Sequence, residues 1–230
     1  MLRDSRKDEA YFRQYILNQD ARINKFHAIA EKKAENGDKI AAAKAYLFTA
    51  GFLKDKLIAA YSAGTPIVDV KAIYEQWVSD CAKASALTYG DLLDMASLAV
   101  LLKPTGDVLA AIIRLLSEFS ENDILLEGLR NYIKGKEFVY SSGTIKFENY
   151  SGLRKVFESA DKSAQIERLA EYISEEWYGA QSESPWYNSH LSNNGTYVGY
   201  WSFECAALAI ALSLDVTKIK HIEFIPAELL

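Results

Sequence analysis

The sequence predicts an all-α protein, a multi-helix bundle built as two packed helical subdomains, on three observations. Only 12 glycines and 4 prolines punctuate 230 residues, and so few breakers suit long helices better than the many turns of a sandwich or barrel. Most of those glycines fall between segments whose apolar residues recur with a period near 3.6. The connections between segments are short, which makes successive helices antiparallel neighbours. Hydrophobic residues form 50% of the chain, ample for a core at this length.

The first helix spans about 5–35, with Phe12, Ile16, Ile23, Phe26, Ala30 and Ala34 at helical spacing. Asn36-Gly37 closes it, because glycine reaches the left-handed conformation that a C-cap needs. Asp38 then caps a second helix whose stripe holds Ile40, Leu47, Ala50, Leu57 and Tyr61. Gly64-Thr65-Pro66 stops that helix, and Pro66 opens a third with Val70, Ile73, Trp77 and Cys81 on one face. Segments 91–103 and 107–119 are apolar on nearly every side and are expected in the middle of the bundle. A further helix is expected over 121–134. The run 137–147 carries two β-prone pieces around Ser141-Ser142-Gly143 and reads as a small hairpin or as an ordered loop. Helices resume at 150–159 and 162–177, a turn-rich stretch covers 179–195, and an apolar helix is expected over 198–214. The irregular region after 119 divides the chain into an N-terminal helical domain, 1–119, and a C-terminal one, 120–230. The first two helices could open a repeat, but no fixed period follows them.

Composition and spacing exclude several functions. A formal charge of −5 argues against a nucleic-acid ligand, because phosphate binding needs clustered Lys and Arg. No apolar run approaches the roughly 20 residues of a membrane span. Residues 1–11 are charged and lack the apolar core of a secretory signal, so a soluble, cytoplasmic protein is expected. Cys81 and Cys205 sit in apolar patterns and read as small core residues of a reducing compartment. None of His27, His190 and His221 stands in a ligand spacing with another His, Cys or Glu, so no metal and no cofactor is expected. Gly135-Lys136 lacks the rest of a P-loop, and no Gly-x-Ser-x-Gly elbow occurs.

One acid/base pair is thinkable. Glu204 is the single charged residue in the apolar 198–214 segment below Asp215 in the chain, and His190 lies a short loop upstream. Desolvation raises a carboxylate's pKa, which is one preparation for general acid catalysis in an all-α hydrolase. The alternative is that Glu204 hydrogen-bonds a buried Tyr, Trp or backbone group. No nucleophile or oxyanion device accompanies the pair, so no catalytic residue is assigned.

Aromatic residues and charge are both placed unevenly. Trp177-Tyr178, Trp186-Tyr187 and Tyr197-Val-Gly-Tyr-Trp-Ser-Phe203 hold three of the four tryptophans. Such residues build cores, with their polar tips at the edge, and equally anchor protein interfaces. The first 150 residues contain 20 acidic and 20 basic side chains, whereas the last 80 contain 11 acidic and 6 basic, so the whole −5 belongs to the last third. On the 162–177 helix, Ile166, Leu169, Ala170, Ile173 and Trp177 form the apolar stripe, with Glu167, Glu171 and Glu175 opposite. Like charges four apart destabilise a helix by about 0.2–0.5 kcal/mol per pair. Together with Glu176 and Glu183 they read either as a solvated face or as an acidic patch that attracts a basic partner. The whole then reads as a helical protein-interaction module.

The string Trp177-Tyr178, Trp186-Tyr187, His190 and Tyr197-Val-Gly-Tyr-Trp-Ser-Phe-Glu-Cys-Ala-Ala-Leu208 resembles the C-terminal domain of the PoNi immunity proteins. The charged opening helix and Lys44-Ala-Tyr-Leu-Phe48 resemble the family's N-terminal domain more loosely. Cys205 departs from the small residue usual at its position, and Leu214-Asp215 and Phe224-Ile-Pro226 stand for the family's acidic turn and tail. The resemblance implies a non-catalytic protein that binds and inhibits a cognate DNase toxin of the PoNe type, a polymorphic toxin delivered in interbacterial competition by type VI secretion. On that reading Glu167, Glu171, Glu175, Glu176 and Glu183 steer the toxin, and Tyr178, Trp186 and Tyr187 anchor it. Trp177, His190, Tyr197, Gly199, Tyr200, Trp201, Phe203 and Glu204 then hold the fold.

Overall fold

The computed structural model describes residues 1–119, 123–139 and 144–230, and two compact units separate within it. The first comprises Met1–Thr88, Gly106–Ala111 and Asn188–Gly199. Its α1, Glu9–Glu35, starts where the Asp8 side chain accepts the Tyr11 N–H, a turn later than the periodicity predicts. The residues before it are held otherwise: Asp4 accepts the Arg6 N–H at 2.8 Å, and the Arg3 and Asp4 N–H groups donate to the Ser62 carbonyl. α2, Lys39–Ser62, begins at the predicted Asp38 cap, which accepts the Ala41 N–H, and α3 is Ile67–Cys81. α2 packs against both α1 and α3, around the buried Phe12, Leu53, Leu57, Tyr61, Tyr74 and Trp77.

The 188–199 segment joins this unit through two backbone carbonyls and the Tyr197 side chain. The Tyr197 carbonyl accepts the Tyr11 hydroxyl at 2.9 Å, and the Val198 carbonyl accepts the Ser62 hydroxyl at 2.7 Å. The Tyr197 hydroxyl donates to buried Asp4.

The second unit comprises Tyr89–Thr105, Ile112–Tyr187 and Tyr200–Leu230. Its central helix is α4, Tyr89–Leu102, buried along almost its whole length as predicted. Of α5, Gly106–Glu118, the residues from Ile112 onward belong to this unit, and α6 is Ile124–Ile133. α4 packs on α6 and on α10, Phe203–Ala211. A 3₁₀ turn, Glu148–Leu153, runs into α7, Arg154–Phe157; α8 is Lys162–Glu171 and α9 is Trp177–Ala180.

Three expectations need correction. α5 is not a central helix, because only Ile112, Leu115 and Leu116 of it are buried; its other apolar residues are half-exposed alanines and branched side chains beside Asp107, Arg114 and Glu118. The helix expected over 198–214 is confined to Phe203–Ala211. Residues 197–202 are almost all buried yet not helical. Gly199 has φ +124°, outside the helical region, and the Ser202 N–H donates to the Phe224 carbonyl at 2.8 Å. The turn of the hairpin read at 137–147, residues 140–143, lies outside the described residues, and no strand forms on its described flanks. Thr144 instead bridges to Asp123, whose neighbour Ile124 donates its N–H to the Thr144 carbonyl at 3.0 Å.

Asp123 explains why that flank is drawn to α6. Fully buried, its carboxylate accepts the Leu126 N–H at 3.0 Å as N-cap, the Tyr89 hydroxyl at 2.9 Å and the Lys146 N–H at 3.0 Å. Tyr89 also stacks on Phe147 at 3.9 Å. One carboxylate thus ties the start of α4, the start of α6 and the 144–147 flank together. Asp123→Ala leaves two buried donors, the Leu126 N–H and the Tyr89 hydroxyl, without this acceptor, while the N–H of exposed Lys146 can turn to water. It is expected to lower the unfolding free energy by at least about 2 kcal/mol with an unchanged m value, which urea denaturation reads directly.

Candidate partner-binding site

All of the expected partner-binding residues fall in the second unit, on α8, α9 and the turns that follow. The α8 helix does not run straight to Trp177. Residues Tyr172–Glu176 form a single π turn, closed by the Trp177 N–H donating to the Tyr172 carbonyl five residues back. The reason is legible in the spacing. In an unbroken α-helix Glu176 would stand seven residues after Leu169, four after Tyr172 and three after Ile173, in the middle of the buried stripe. The extra residue of the π turn moves Glu176 to a half-exposed position and gives its place to Trp177, which is buried.

From there a cluster of rings grows outward. Trp177 packs on Trp186 at 5.8 Å and on Phe224 at 5.1 Å. Tyr178 lies 4.7 Å from Tyr187, 5.1 Å from Tyr200 and 5.3 Å from Phe224, nearly coplanar with the last. Trp186 closes the group on Tyr200 at 5.4 Å. Trp177 and Tyr200 are buried, while Tyr178, Trp186, Tyr187 and Phe224 keep part of their surface in solvent. The result is a platform of rings, core beneath and surface above.

Glu204 supports the platform from below. At the start of α10, buried, it accepts the Trp177 indole N–H at 2.5 Å and the Ser202 hydroxyl at 2.9 Å. Burial pushes its pKa up to about 7, against the opposing effect of its own backbone N–H, Trp177 and Ser202, with the Asp94 charge adding to the rise. Its hydrogen bonds are those of a satisfied core carboxylate. His190 belongs to the first unit, where it packs edge-on to Tyr197 at 6.1 Å, and desolvation followed by the charges of Arg6 and Lys7 lowers its pKa. Phe203 is buried in the first turn of α10, and Trp201 is half-buried before it.

The five carboxylates differ in their surroundings. Glu167 pairs with Lys218 at 3.7 Å, Glu171 with Arg168 at 2.5 Å and Glu176 with Lys155 at 2.7 Å. Glu175 and Glu183 are exposed and have no ion pair among the described residues. Arg168, three residues before Glu171, is legible in the helix spacing, whereas sequence reasoning missed Lys155 and Lys218, and it missed Phe224, the ring that joins Trp177 to Tyr178. Phe224 lies far along the chain from its neighbours, so no local spacing reveals it. Its φ of +74°, uncommon for a non-glycine residue, is the structural sign that the chain is constrained there. Among the described residues no cluster of three or more His, Cys, Asp or Glu is placed to hold a metal ion, and no helix is long and apolar enough to cross a membrane.

Fold and site define an all-α protein whose distinctive surface is made of packed rings beside carboxylates. The profile for the N-terminal part of the PoNe immunity proteins (PoNi) matches residues 3–114, and the profile for their C-terminal part matches residues 121–229. The chain belongs to the PoNe immunity protein family. Its fold is similar to that in the crystal structure of protein PA2201 from Pseudomonas aeruginosa, at a TM-score of 0.75 and 19% identity over 99% of this chain and 89% of that one. No curated protein matches the sequence.

The raised pKa of Glu204 fixes the sign of a pH effect. Between the ordinary carboxylate range and about 7 the folded state holds a proton that the unfolded state has released. The contribution to stability is therefore complete at low pH and is lost as pH rises through about 7, on the order of 3 kcal/mol in all. Glu204→Gln keeps the acceptor for Trp177 and Ser202 without the charge. Urea unfolding should find it close to the parent at pH 5 and more stable by that amount at pH 8. A constant difference across this range removes Glu204 as the titrating group.

Proposed function

We propose that this immunity protein acts in the cytoplasm by binding a cognate PoNe-type DNase toxin and blocking it, without turnover of its own. The match of both family profiles to one chain carries this reading. A DNase presents positive charge to DNA phosphates, so an acidic surface is suited to cover it or to compete for it. The −5 of the last 80 residues supplies that sign.

Within the face, the division of labour follows from what each carboxylate already touches. Glu167, Glu171 and Glu176 spend part of their field on Lys218, Arg168 and Lys155. Glu175 and Glu183 carry the uncompensated charge and provide most of the steering. Tyr178, Trp186 and Tyr187, half-buried and held by one another, serve as anchors. Trp177, Tyr200, Phe203 and Glu204 hold the platform, and Tyr197, His190 and Gly199 hold the 188–199 segment in the first unit.

Co-expression with the PoNe-type nuclease encoded beside it tests the function: cells survive, and the two proteins co-purify. Death of the cells together with no complex at low salt would sink the proposal. Within the interface, Glu175→Lys with Glu183→Lys should slow association about tenfold or more and flatten its dependence on ionic strength, while Tyr187→Ala should act mainly on dissociation. Unchanged association kinetics would remove both carboxylates from the interface.

A further inference from the structure

The α1–α2 hairpin carries an apolar surface that its own unit does not cover. On α2, Ile40 is 73% exposed and Phe48 is 57% exposed; on α1, Ile29 is 38% exposed. They are not scattered. Ile40 and Phe48 lie eight residues apart on one face of α2, and Phe48 meets half-exposed Phe26 of α1 at 5.2 Å, which in turn meets half-exposed Phe52 at 5.5 Å. Single exposed apolar residues are ordinary, but a contiguous patch across two helices marks an interaction surface.

Gly51 is a second and independent sign. It sits inside α2 between Phe48 and Phe52, exposed, and a Cβ placed on it would meet nothing within 4 Å. A glycine there weakens the helix by roughly 0.5–1 kcal/mol relative to alanine, and nothing in this unit's own packing uses the space. It leaves a notch beside the rings into which another backbone can come close.

The charge around the patch names the occupant. Arg22 lies over the Phe52 ring at 5.7 Å and Lys25 over the Phe26 ring at 5.9 Å, and exposed Lys44 stands one turn from Phe48. Of the acids beside the rings, Asp20 pairs with Lys56 at 2.6 Å, and Asp55 accepts the Tyr15 hydroxyl at 3.2 Å with Lys54 and Arg22 close to its charge. From residue 9 to residue 62 the hairpin holds nine basic and six acidic side chains, opposite in sign to the last third of the chain. A basic, DNA-binding surface is repelled here, so this face is not suited to the toxin surface proposed above.

We infer that the Phe26–Phe48–Phe52 face of the α1–α2 hairpin is a second docking site, which takes an acidic amphipathic helix of a partner protein against the rings and the Gly51 notch. Apolar side chains of such a helix at i, i+3/i+4 and i+7 lie on the rings, and its flanking carboxylates meet Arg22, Lys25 and Lys44. The inference stands apart from the nuclease reading and does not need it.

The probe is a fluorescent synthetic helix of leucine and glutamate about five turns long, titrated into the full chain. Its lysine counterpart and a thymidine oligonucleotide serve as controls. The leucine-glutamate helix binds, and Phe48→Ser and Gly51→Gln each weaken it by about tenfold or more. Both variants stay folded, Gly51→Gln with a raised unfolding midpoint because glutamine is the better helix former. Phe48→Ser leaves rescue from the nuclease intact. The inference fails if the probe does not bind or binds the variants equally well. It fails too if the oligonucleotide binds and is lost on Phe48→Ser, if that substitution dissolves a self-associated state, or if it abolishes rescue.

Discussion

The contact between Glu204 and Trp177 is the constraint on which the second unit is arranged. A carboxylate placed among the alanines and leucines of α10 must be given donors, because a buried polar group without partners costs about 1–3 kcal/mol and a charged one more. Among the described residues the donors are neutral: the Trp177 indole, the Ser202 hydroxyl, the Cys205 thiol and Glu204's own backbone N–H. That choice places Trp177 in the core. The π turn that brings Trp177 there takes Glu176 out of the buried stripe and turns Tyr178 onto the rings of Tyr187, Tyr200 and Phe224. The platform, the irregular helix beneath it and the raised pKa of Glu204 are three consequences of one buried acid.

The same solution recurs at three of the 14 tyrosines of the chain. Asp123 accepts the Tyr89 hydroxyl, Asp55 the Tyr15 hydroxyl, and Asp4 the Tyr197 hydroxyl together with Arg6. Phenols and indoles fill a core with apolar surface and still offer a hydrogen at the tip, so each satisfies a carboxylate without bringing a second charge out of water. Burial and the neighbouring negative charge both raise the pKa of Tyr15 and Tyr89, so these hydroxyls stay protonated donors at every physiological pH.

What could be read in the sequence is what is decided locally. The Asp38 cap, the Asn36-Gly37 stop and the buried face of α4 depend on residues within one or two turns of each other, and they stand as expected. Residues 197–202 could not be read, since an apolar run with one glycine suits a buried helix and a buried extended segment equally. Their conformation is set by partners remote in the chain, Tyr11, Ser62 and Phe224. α5 misled for a different reason: its composition is apolar, but burial follows the three residues of its narrow stripe rather than the average. The π turn lay between these cases. On the stripe read from the sequence Trp177 is already included and Glu176 stands beside it; the burial of Tyr172, which that reading left out, widens the face towards Glu176, and the helix resolves the conflict by adding a residue.

The separation of rings from carboxylates bears on how an immunity protein of the proposed kind keeps pace with its toxin. Tyr178 is packed by four neighbouring rings before any partner arrives, so little conformational freedom remains to be lost on binding, and affinity is gained by pre-organisation. Glu175 and Glu183 are exposed and have no ion pair among the described residues. On the proposed reading, substitution there changes encounter rate and partner choice while leaving Glu204, Trp177 and the core unaffected. An acid such as Glu176, by contrast, is fixed twice, by Lys155 and by the π turn that displaces it from the stripe. Divergence is therefore expected to concentrate at the uncompensated carboxylates and at the outer edges of the rings, where a change in partner costs the fold least.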